Sequence, residues 1–253
     1  MHIGHRMLAQ RAAELGGQPW LVSFSGMADV LGWPKRPPLV ADDNRGEVLA
    51  SWAEQCGGLV PRQRFIPFAE VRSLSPEDFV CVLAEGLKVS GVVVGEGFRF
   101  GYKAKGDTEA LQQLGRDHGI AVSVVSLVSS GCTAGLETVS SSAVRKALGE
   151  GRMQDVHRCL GRPYKLVVKP SQRLPQAFSR CRLLALDCQN QLPCKGKYPC
   201  AATFLVGRHI LTEGETLRFS EAELQVNDST LELQLPSPAD IPGGDSLTVH
   251  IEI

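Results

Sequence analysis

The chain has 253 residues, of which 43% are hydrophobic, so it can bury one large core or two smaller ones, and we expect two domains. Lys and Arg together number 27, as do Asp and Glu, so no net charge draws the protein to nucleic acid or to an anionic membrane, and we expect neither as a partner. No apolar run approaches the roughly 20 residues that a membrane-spanning helix needs.

Helix and strand patterns alternate in the first part of the chain, as a parallel α/β sheet requires. Residues 5–17 have apolar side chains at helical spacing and end on glycines, and residues 19–26 form a short apolar strand. Ser75 and Pro76 are typical of the start of a helix. The patterns predict further helices at 45–58, 75–87, 107–120, 140–151 and 153–161, a strand running into a glycine-rich loop at 89–101, and a strand at 121–128.

The pattern changes after Pro163. Short alternating runs such as "YKLVVK" and "SLTVHIEI" are separated by turns rich in Gly, Asn and Asp, which predicts a small antiparallel barrel or sandwich. We therefore predict an α/β domain at 1–163 and a small, β-rich, barrel-like domain at 164–253. The eight cysteines include no CxxC pair, and we predict no metal ligands on the chain.

His2, Gly4 and His5 form an HxGH motif in what reads as the first turn of a helix. Histidines three residues apart lie on one face of a helix, above its positive end, where an anion is stabilised. Gly4 lets a ligand approach the backbone, and a histidine can hydrogen-bond the charge that grows on a phosphate during transfer. By itself, the motif is equally compatible with an ordinary N-terminal helix.

A second polar motif consists of Ser140, Ser141 and Ser142 at a loop-to-helix junction, followed by Arg145. Hydroxyls and backbone N–H groups at a helix start, with a guanidinium one turn further on, can hold a phosphate. The alternative is a serine cap beside a surface arginine. Two such motifs at strand-to-helix turns of one parallel sheet favour convergence on a single polyanion.

The two motifs together resemble those of the HIGH-type nucleotidylyltransferases. The segment "VVVGEGFRFGYKAKGD" resembles the flavin-side loop of FAD synthetases, and "EGRMQDVHRCLGRPYKL" resembles the helix and linker that follow their serine motif. Residues 23–53 resemble the plant and algal plastid members. The resemblance implies a Rossmann-like HIGH-type nucleotidylyltransferase domain with a parallel sheet, and a plastid location.

The resemblance also implies a reaction: transfer of AMP from ATP to FMN, in a Mg²⁺-dependent direct displacement that gives FAD and pyrophosphate. Such chemistry needs positioning and charge stabilisation more than a nucleophilic side chain. Implied catalytic residues are His5, His2 and Arg145. Implied ATP-binding residues are His2, Gly4, His5, Ser140, Ser141, Ser142 and Arg145. Implied FMN-binding residues are Phe98, Arg99, Phe100, Lys103 and Lys105, with core packing as the alternative for the phenylalanines and solvated surface for the lysines.

The chain departs from the family pattern in three places. Family members carry a strand ending in a Gly-x-Phe-Asp type turn before HxGH, whereas only Met1 precedes His2 here, and we expect a truncation that also removes any plastid transit peptide. Gly97 stands where the family loop usually carries Asn or Asp. Residues 170–253 lack the Gly-Phe-Pro-Thr-Ala-Asn type motif of the bacterial riboflavin kinase barrel, so we expect a degenerate remnant without kinase activity.

Three alternative functions stay open at this point, one of which is a structural partner built on the β-rich tail. Gly97 and the missing strand are also compatible with a flavin- or nucleotide-binding homologue whose catalysis is impaired. A nucleotidylyltransferase that acts on another phosphate acceptor, such as phosphopantetheine, would share both motifs. The FRFG loop favours a flavin.

Overall fold

The structure is a computed structural model that describes residues 1–126, 138–207, 215–241 and 247–253. The chain forms two compact units, and each is described by itself. The first unit contains Met1–Lys35 and Gly46–Ser129, and the second contains Arg36–Arg45 and Ser130–Ile253. The domain boundary predicted at residue 163 stays a prediction.

The strands of the first unit form two pairs, and both pairs are parallel, as the sequence predicts. β1 (Trp20–Ser25) pairs with β2 (Arg62–Pro67), and β3 (Gly91–Gly95) pairs with β4 (Ala121–Val125). Within the described ranges, no hydrogen-bonded ladder joins one pair to the other. In these ranges, β1 and β3 therefore each have one edge, on the side away from the partner strand, that no other strand pairs with.

Helices connect and cover these strands. Ser75 caps a helix as predicted, since its Oγ accepts a hydrogen bond from the N–H of Asp78 at 3.0 Å. Asp107 does the same for the N–H of Ala110 at 2.9 Å. The helices are α1 (Ile3–Glu14), α2 (Met27–Leu31), α3 (Arg45–Ala50), α4 (Phe68–Val71), α5 (Pro76–Cys81) and α6 (Thr108–Asp117).

An apolar core lies between α5, α6 and the β3–β4 pair. Val80 and Leu111 are its most deeply buried side chains, and Phe79, Val94 and Phe100 pack around them with less than one-tenth of their surface exposed. This core holds β3 in place. The loop that follows β3 is thereby fixed at its start.

The second unit combines two helices with an antiparallel sheet. Its helices are α7 (Ser141–Gly149) and α8 (Met153–Leu160). Six strands form a curled half-barrel in the order β5–β10–β7–β8–β9–β6. Their bounds are β5 Lys165–Val168, β6 Ala177–Leu184, β7 Gly196–Val206, β8 Glu215–Val226, β9 Thr230–Asp240 and β10 Leu247–Glu252. The predicted antiparallel β-rich region is confirmed.

β10 occupies an interior position in this sheet, although it follows the other five strands in sequence. Val249 pairs with Val168 of β5 on one side and with Phe204 of β7 on the other. All three side chains are fully buried. β10 therefore joins β5 to the rest of the sheet.

Several elements differ from the sequence prediction. β2, β8, α2 and α4 were not predicted, and the helix expected at 45–58 ends at Ala50, followed by a 3₁₀ turn at Glu54–Cys56. Trp52 and Cys56 are nevertheless almost fully buried. Tertiary packing can override a local helical pattern, and these two side chains belong to the core although they lie beyond the α-helix.

Candidate active site

The HxGH motif lies at the start of α1, as predicted. His2 immediately precedes the helix, and its ring packs on that of His5, with ring centroids 3.9 Å apart. A Cβ on Gly4 would come within 3.1 Å of the His2 ring. Glycine at this position thus keeps the two imidazoles together, in addition to the ligand approach that the sequence predicts.

One hydrogen bond sets the tautomer of His5. The backbone N–H of His2 donates to Nδ1 of His5 at 3.3 Å. Because Nδ1 is the acceptor, a neutral His5 ring carries its proton on Nε2. Nε2 is therefore the ring's donor atom, and such a donor can stabilise charge on a phosphate oxygen.

A cleft of about 450 Å³ lies between β1 and β3 in the first unit. One face of α1 covers it, since His5, Leu8, Ala12 and Leu15 all line it and follow one another at three- and four-residue steps. Apolar side chains of β1, β3 and the glycine-rich loop also line the cleft, among them Phe98.

α1 runs antiparallel to β3. Its end lies beside the start of β3, because a Cβ on Gly91 would be 3.1 Å from Cδ1 of Leu15. One turn earlier, Nε of Arg11 donates to Oγ of Ser123 at 3.0 Å, and Ser123 pairs with Val93 in the ladder. The start of α1 therefore lies towards the carboxyl ends of the strands, which is where open α/β sheets bind ligands.

Two phenylalanines of the glycine-rich loop stack on each other. The rings of Phe98 and Phe100 are nearly parallel, at 12°, with centroids 5.8 Å apart. Phe100 is only 5% exposed and also packs on Phe79, whereas Phe98 is half-buried and lines the cleft. Phe100 is thus packed in the core, which is the alternative that the sequence left open for it. Flavin contact by either ring stays a prediction.

The side chain of Arg99 makes contacts within the same loop. Its Nε and Nη2 donate to the backbone carbonyl of Ala104 at 3.0 and 2.8 Å, and Nη1 lies 3.7 Å from the carboxylate of Asp107. Arg99 therefore has a structural role in this conformation. Its predicted contact with the FMN phosphate would require an exchange of partners.

The two predicted flavin-side lysines lie on the exposed part of the loop. Lys103 places its ammonium 5.3 Å from the ring centroid of Tyr102, and Lys105 is exposed. Lys103 and Ala104 both have positive φ, at 56° and 55°. Such backbone costs roughly 1–2 kcal/mol per residue and is concentrated at ligand-binding sites. The strain agrees with a binding role for this loop.

Gly106 fixes the position of the loop, and its replacement should destabilise the protein. A Cβ at Gly106 would come within 2.6 Å of the buried Phe100 ring. We expect Gly106→Ala to lower the free energy of unfolding by about 1–3 kcal/mol, measured by denaturant unfolding. Gly97→Ala is the matched control, because a Cβ at Gly97 has no neighbour within 4 Å. Equal stabilities of the two variants would contradict this account.

The serine motif forms the start of α7. Oγ of Ser140 accepts a hydrogen bond from the N–H of Ala143 at 3.1 Å, so Ser140 caps the helix. Ser141 and Ser142 are exposed in the first turn. The first backbone N–H groups of a helix have no acceptor within it, which makes this turn suited to an anion.

Arg145 lies one turn further along α7 and is half-buried. Its Nη1 donates to the carbonyl of Pro37 at 2.8 Å and to Oε1 of Gln191. Its Nε and Nη2 have no hydrogen-bond partner in the part of the chain that the structure describes. Burial lowers the pKa of Arg145, and the nearby Arg36 guanidinium lowers it further. An arginine remains charged despite such a shift.

The structure groups the predicted site residues in part. His2, Gly4 and His5 are brought together in the first unit, and the serines and Arg145 in the second. Convergence of the two groups on one polyanion stays a prediction. Sequence reasoning missed Arg36, Pro37 and Gln191. Gln191 is 46 positions from Arg145, and no spacing pattern connects them.

The four described ranges contain neither a membrane-spanning helix nor a cluster of metal ligands. None of the helices there is both long and apolar enough to cross a membrane. No group of three or more His, Cys, Asp or Glu side chains in those ranges is arranged to hold a metal ion.

A family model and two plant relatives that match this chain carry the same family description. A family model described as FAD synthetase matches residues 1–143. FAD synthetase 1, chloroplastic, of Arabidopsis thaliana is 36% identical over 255 residues, which cover 93% of this chain and 72% of that protein. FAD synthetase 2, chloroplastic, of the same plant is 43% identical over 224 residues, 77% of this chain and 60% of that protein.

A bacterial relative and a solved structure are more distant. The bifunctional riboflavin kinase/FMN adenylyltransferase of Pseudomonas fluorescens is 34% identical over 173 residues, which cover 66% of this chain and 52% of that protein. A crystal structure described as a macrolide-efflux protein from Streptococcus pneumoniae matches 99% of this chain and 80% of that chain, with a TM-score of 0.72 at 20% identity. At this identity the likeness shows the fold alone, and it confirms the predicted parallel α/β region followed by a β-rich half-barrel.

Proposed function

Because the chain belongs to the FAD synthetase family, we propose that it transfers the AMP moiety of ATP to FMN, forming FAD and releasing pyrophosphate. The predicted FAD synthetase of the plant type, and with it FMN adenylyltransferase activity, is confirmed by the family match and the two plant relatives.

The reaction is a displacement at phosphorus. An oxygen of the FMN phosphate forms a bond to the α-phosphorus of ATP, and the bond from that phosphorus to the α,β-bridging oxygen breaks. Pyrophosphate leaves with the electron pair of the broken bond. No side chain needs to act as a nucleophile, so the protein contributes alignment and stabilisation of charge.

His5 is the residue we assign to the reacting phosphate. The observation that carries this role is the hydrogen bond from the His2 backbone N–H to Nδ1 of His5, which leaves Nε2 as the donor. A donor held in position before the reaction needs no reorganisation as negative charge develops. His2 supports His5 through ring packing and through its own backbone N–H.

Ser140, Ser141, Ser142 and Arg145 are assigned to the β- and γ-phosphates. The capped start of α7 and the Nε and Nη2 donors of Arg145 support this role. Charge on the departing pyrophosphate would be stabilised by the guanidinium and by the helix N-terminus.

The glycine-rich loop is assigned to FMN. We assign the half-buried Phe98 to the isoalloxazine ring, and the exposed Lys103 and Lys105 to the phosphate. Mg²⁺ is proposed to arrive as the MgATP complex, since this ion prefers phosphate oxygens and retained water as ligands.

The β-rich region is proposed to lack riboflavin kinase activity, and the protein to act in plastids. Two relatives named FAD synthetase are described as chloroplastic, and one of them aligns over 93% of this chain. The bacterial relative named as bifunctional aligns over 66% of it.

The test is an assay of the purified chain with FMN, ATP and Mg²⁺. FAD and pyrophosphate should appear in equal amounts, detected by chromatography and by a coupled phosphate assay. Formation of FMN from riboflavin and ATP would contradict the proposal for the β-rich region. Tight binding of FMN and ATP without FAD would favour the catalytically impaired homologue, and turnover only with another acceptor would favour the other transferase.

The absence of a side chain at Gly97 leads to a prediction about the rate of catalysis. A side chain there meets open space, and the backbone is not in the left-handed region. We expect Gly97→Asn to raise kcat by about tenfold, because an added donor near the phosphates can stabilise developing charge. Initial rates of FAD formation measure the effect, with Gly97→Ala as the control. A rate for the asparagine variant no higher than that of the alanine variant would contradict it.

A further inference from the structure

We propose that Gln191, in the loop between β6 and β7, is a positioning residue that orients Arg145 for the phosphates of ATP. The inference rests on the proposed function of Arg145. It assigns the β-rich sheet a role in the transferase reaction. Its basis is a chain of hydrogen bonds within the second unit.

The hydrogen bonds of the Arg145 guanidinium are the first part of this hydrogen-bond chain. Among the described residues, Nη1 is the one guanidinium nitrogen with hydrogen-bond acceptors, which are Oε1 of Gln191 and the carbonyl of Pro37. Nε and Nη2, which lie on the same edge of a guanidinium, have no hydrogen-bond partner in the part of the chain that the structure describes. That edge is the one that binds a phosphate side-on through two parallel N–H bonds.

Fixing Nη1 fixes the plane of the group, because a guanidinium is planar and rigid. Without the acceptor on Gln191, the guanidinium of Arg145 would keep only its hydrogen bond to the carbonyl of Pro37 and could rotate about that bond. The two N–H donors would then have to be ordered again each time ATP binds. Ordering a long side chain costs conformational entropy, which weakens binding.

Gln191 is itself fixed from both sides. Its backbone N–H donates to the carbonyl of Pro38 at 2.9 Å, and its carbonyl accepts from the hydroxyl of Tyr164 at 2.5 Å. Tyr164 is 1% exposed, and burial raises the pKa of its hydroxyl, which therefore remains a donor. The position of Gln191 is thus set by a buried and protonated partner.

Asn190 connects this arrangement to the sheet. It is 2% exposed, and its Nδ2 donates to the hydroxyl of Tyr164 at 3.1 Å and to the carbonyl of Lys165 at 2.9 Å. Its Oδ1 accepts from the N–H of Val167 in β5 at 3.0 Å. A continuous path therefore runs from the backbone of β5 to the guanidinium of Arg145.

The experiment compares Gln191→Ala and Gln191→Met with the unchanged protein. Both remove the acceptor, but methionine keeps the length and most of the volume of the side chain. We expect kcat/KM for ATP to fall about tenfold in both, while KM for FMN and the melting temperature stay within error. Gln189→Ala is the matched control, because the exposed Gln189 side chain donates to the carbonyl of Asp187 instead. That variant should keep full activity.

A double-mutant cycle then tests whether Gln191 acts through Arg145. Adding Gln191→Ala to Arg145→Ala should cause no further loss, since the group to be oriented is already absent. A further tenfold loss, or full activity of Gln191→Met, would overturn the proposal. If Arg145→Ala alone left the rate unchanged, the role of Arg145 in the proposed function would be wrong. Impairment of Arg145→Ala beside a fully active Gln191→Ala would refute the positioning role alone.

Discussion

His5→Ala should lower kcat for FAD formation by about 10²–10³-fold, the usual effect of removing one donor that stabilises charge in a transition state. The variant loses the Nε2 donor but keeps the start of α1, since the histidine that precedes the helix is unchanged. Initial rates at saturating ATP and FMN measure the effect. KM values should change much less than kcat, because the lost contact strengthens only as charge develops.

The control for this variant is His118→Ala. His118 is an exposed histidine at the end of α6. Its removal should leave the rate within twofold of the unchanged protein. A loss below about fivefold for His5→Ala would refute the assigned role, provided that thermal unfolding shows both variants to be equally folded.

A strand fused ahead of residue 1 should stabilise the protein by several kcal/mol. Among the residues that the structure describes, no strand pairs with the edges of β1 and β3 that flank the cleft, and the start of α1 lies at the carboxyl ends of these strands. Five Val and Ile residues, followed by a short glycine-containing turn, could pair with both edges. Each buried side chain contributes about 1.5–3 kcal/mol, and ordering each residue costs about 1–2 kcal/mol. We expect the melting temperature to rise by about 5–10 °C.

The control extension has the same length, with proline at two of the five strand positions. Proline cannot donate to a ladder, so this extension should add nothing to the melting temperature. Slower amide exchange at Val22 and Val93 would locate the added strand at the two edges. Equal melting temperatures for the two extensions would show that the cleft does not accept a strand.

Features that depend on neighbouring residues were predictable from the sequence. Ser75 and Ser140 act as caps because a cap bonds an N–H only three residues later. The parallel strands β1, β3 and β4 are runs of mainly apolar residues next to glycines, and they were found for that reason. The HxGH turn was recognised from the spacing of His2 and His5.

Other features depend on residues that are distant in the sequence. β2 has the sequence "RQRFIP", whose charged residues do not give the apolar pattern of a strand, and it is found by its pairing with β1, which lies far earlier in the chain. β8 has the alternation of a strand, but its many glutamates obscured it. The partner of Arg145 could not be predicted, because Gln191 reaches it through a loop whose path depends on Tyr164 and Asn190.

The interior position of β10 has a consequence for the order of folding. β7, β8 and β9 are joined by successive antiparallel connections and can pair as soon as each is synthesised. β5 can join the sheet only after β10 has been synthesised, because β10 is the strand that pairs with it. The two strands are separated by the sequence of the other four, so this long-range pairing forms late and slowly. Until then β5 and β7 expose unsatisfied backbone groups in the nascent chain, and aggregation during biosynthesis should begin at these strands.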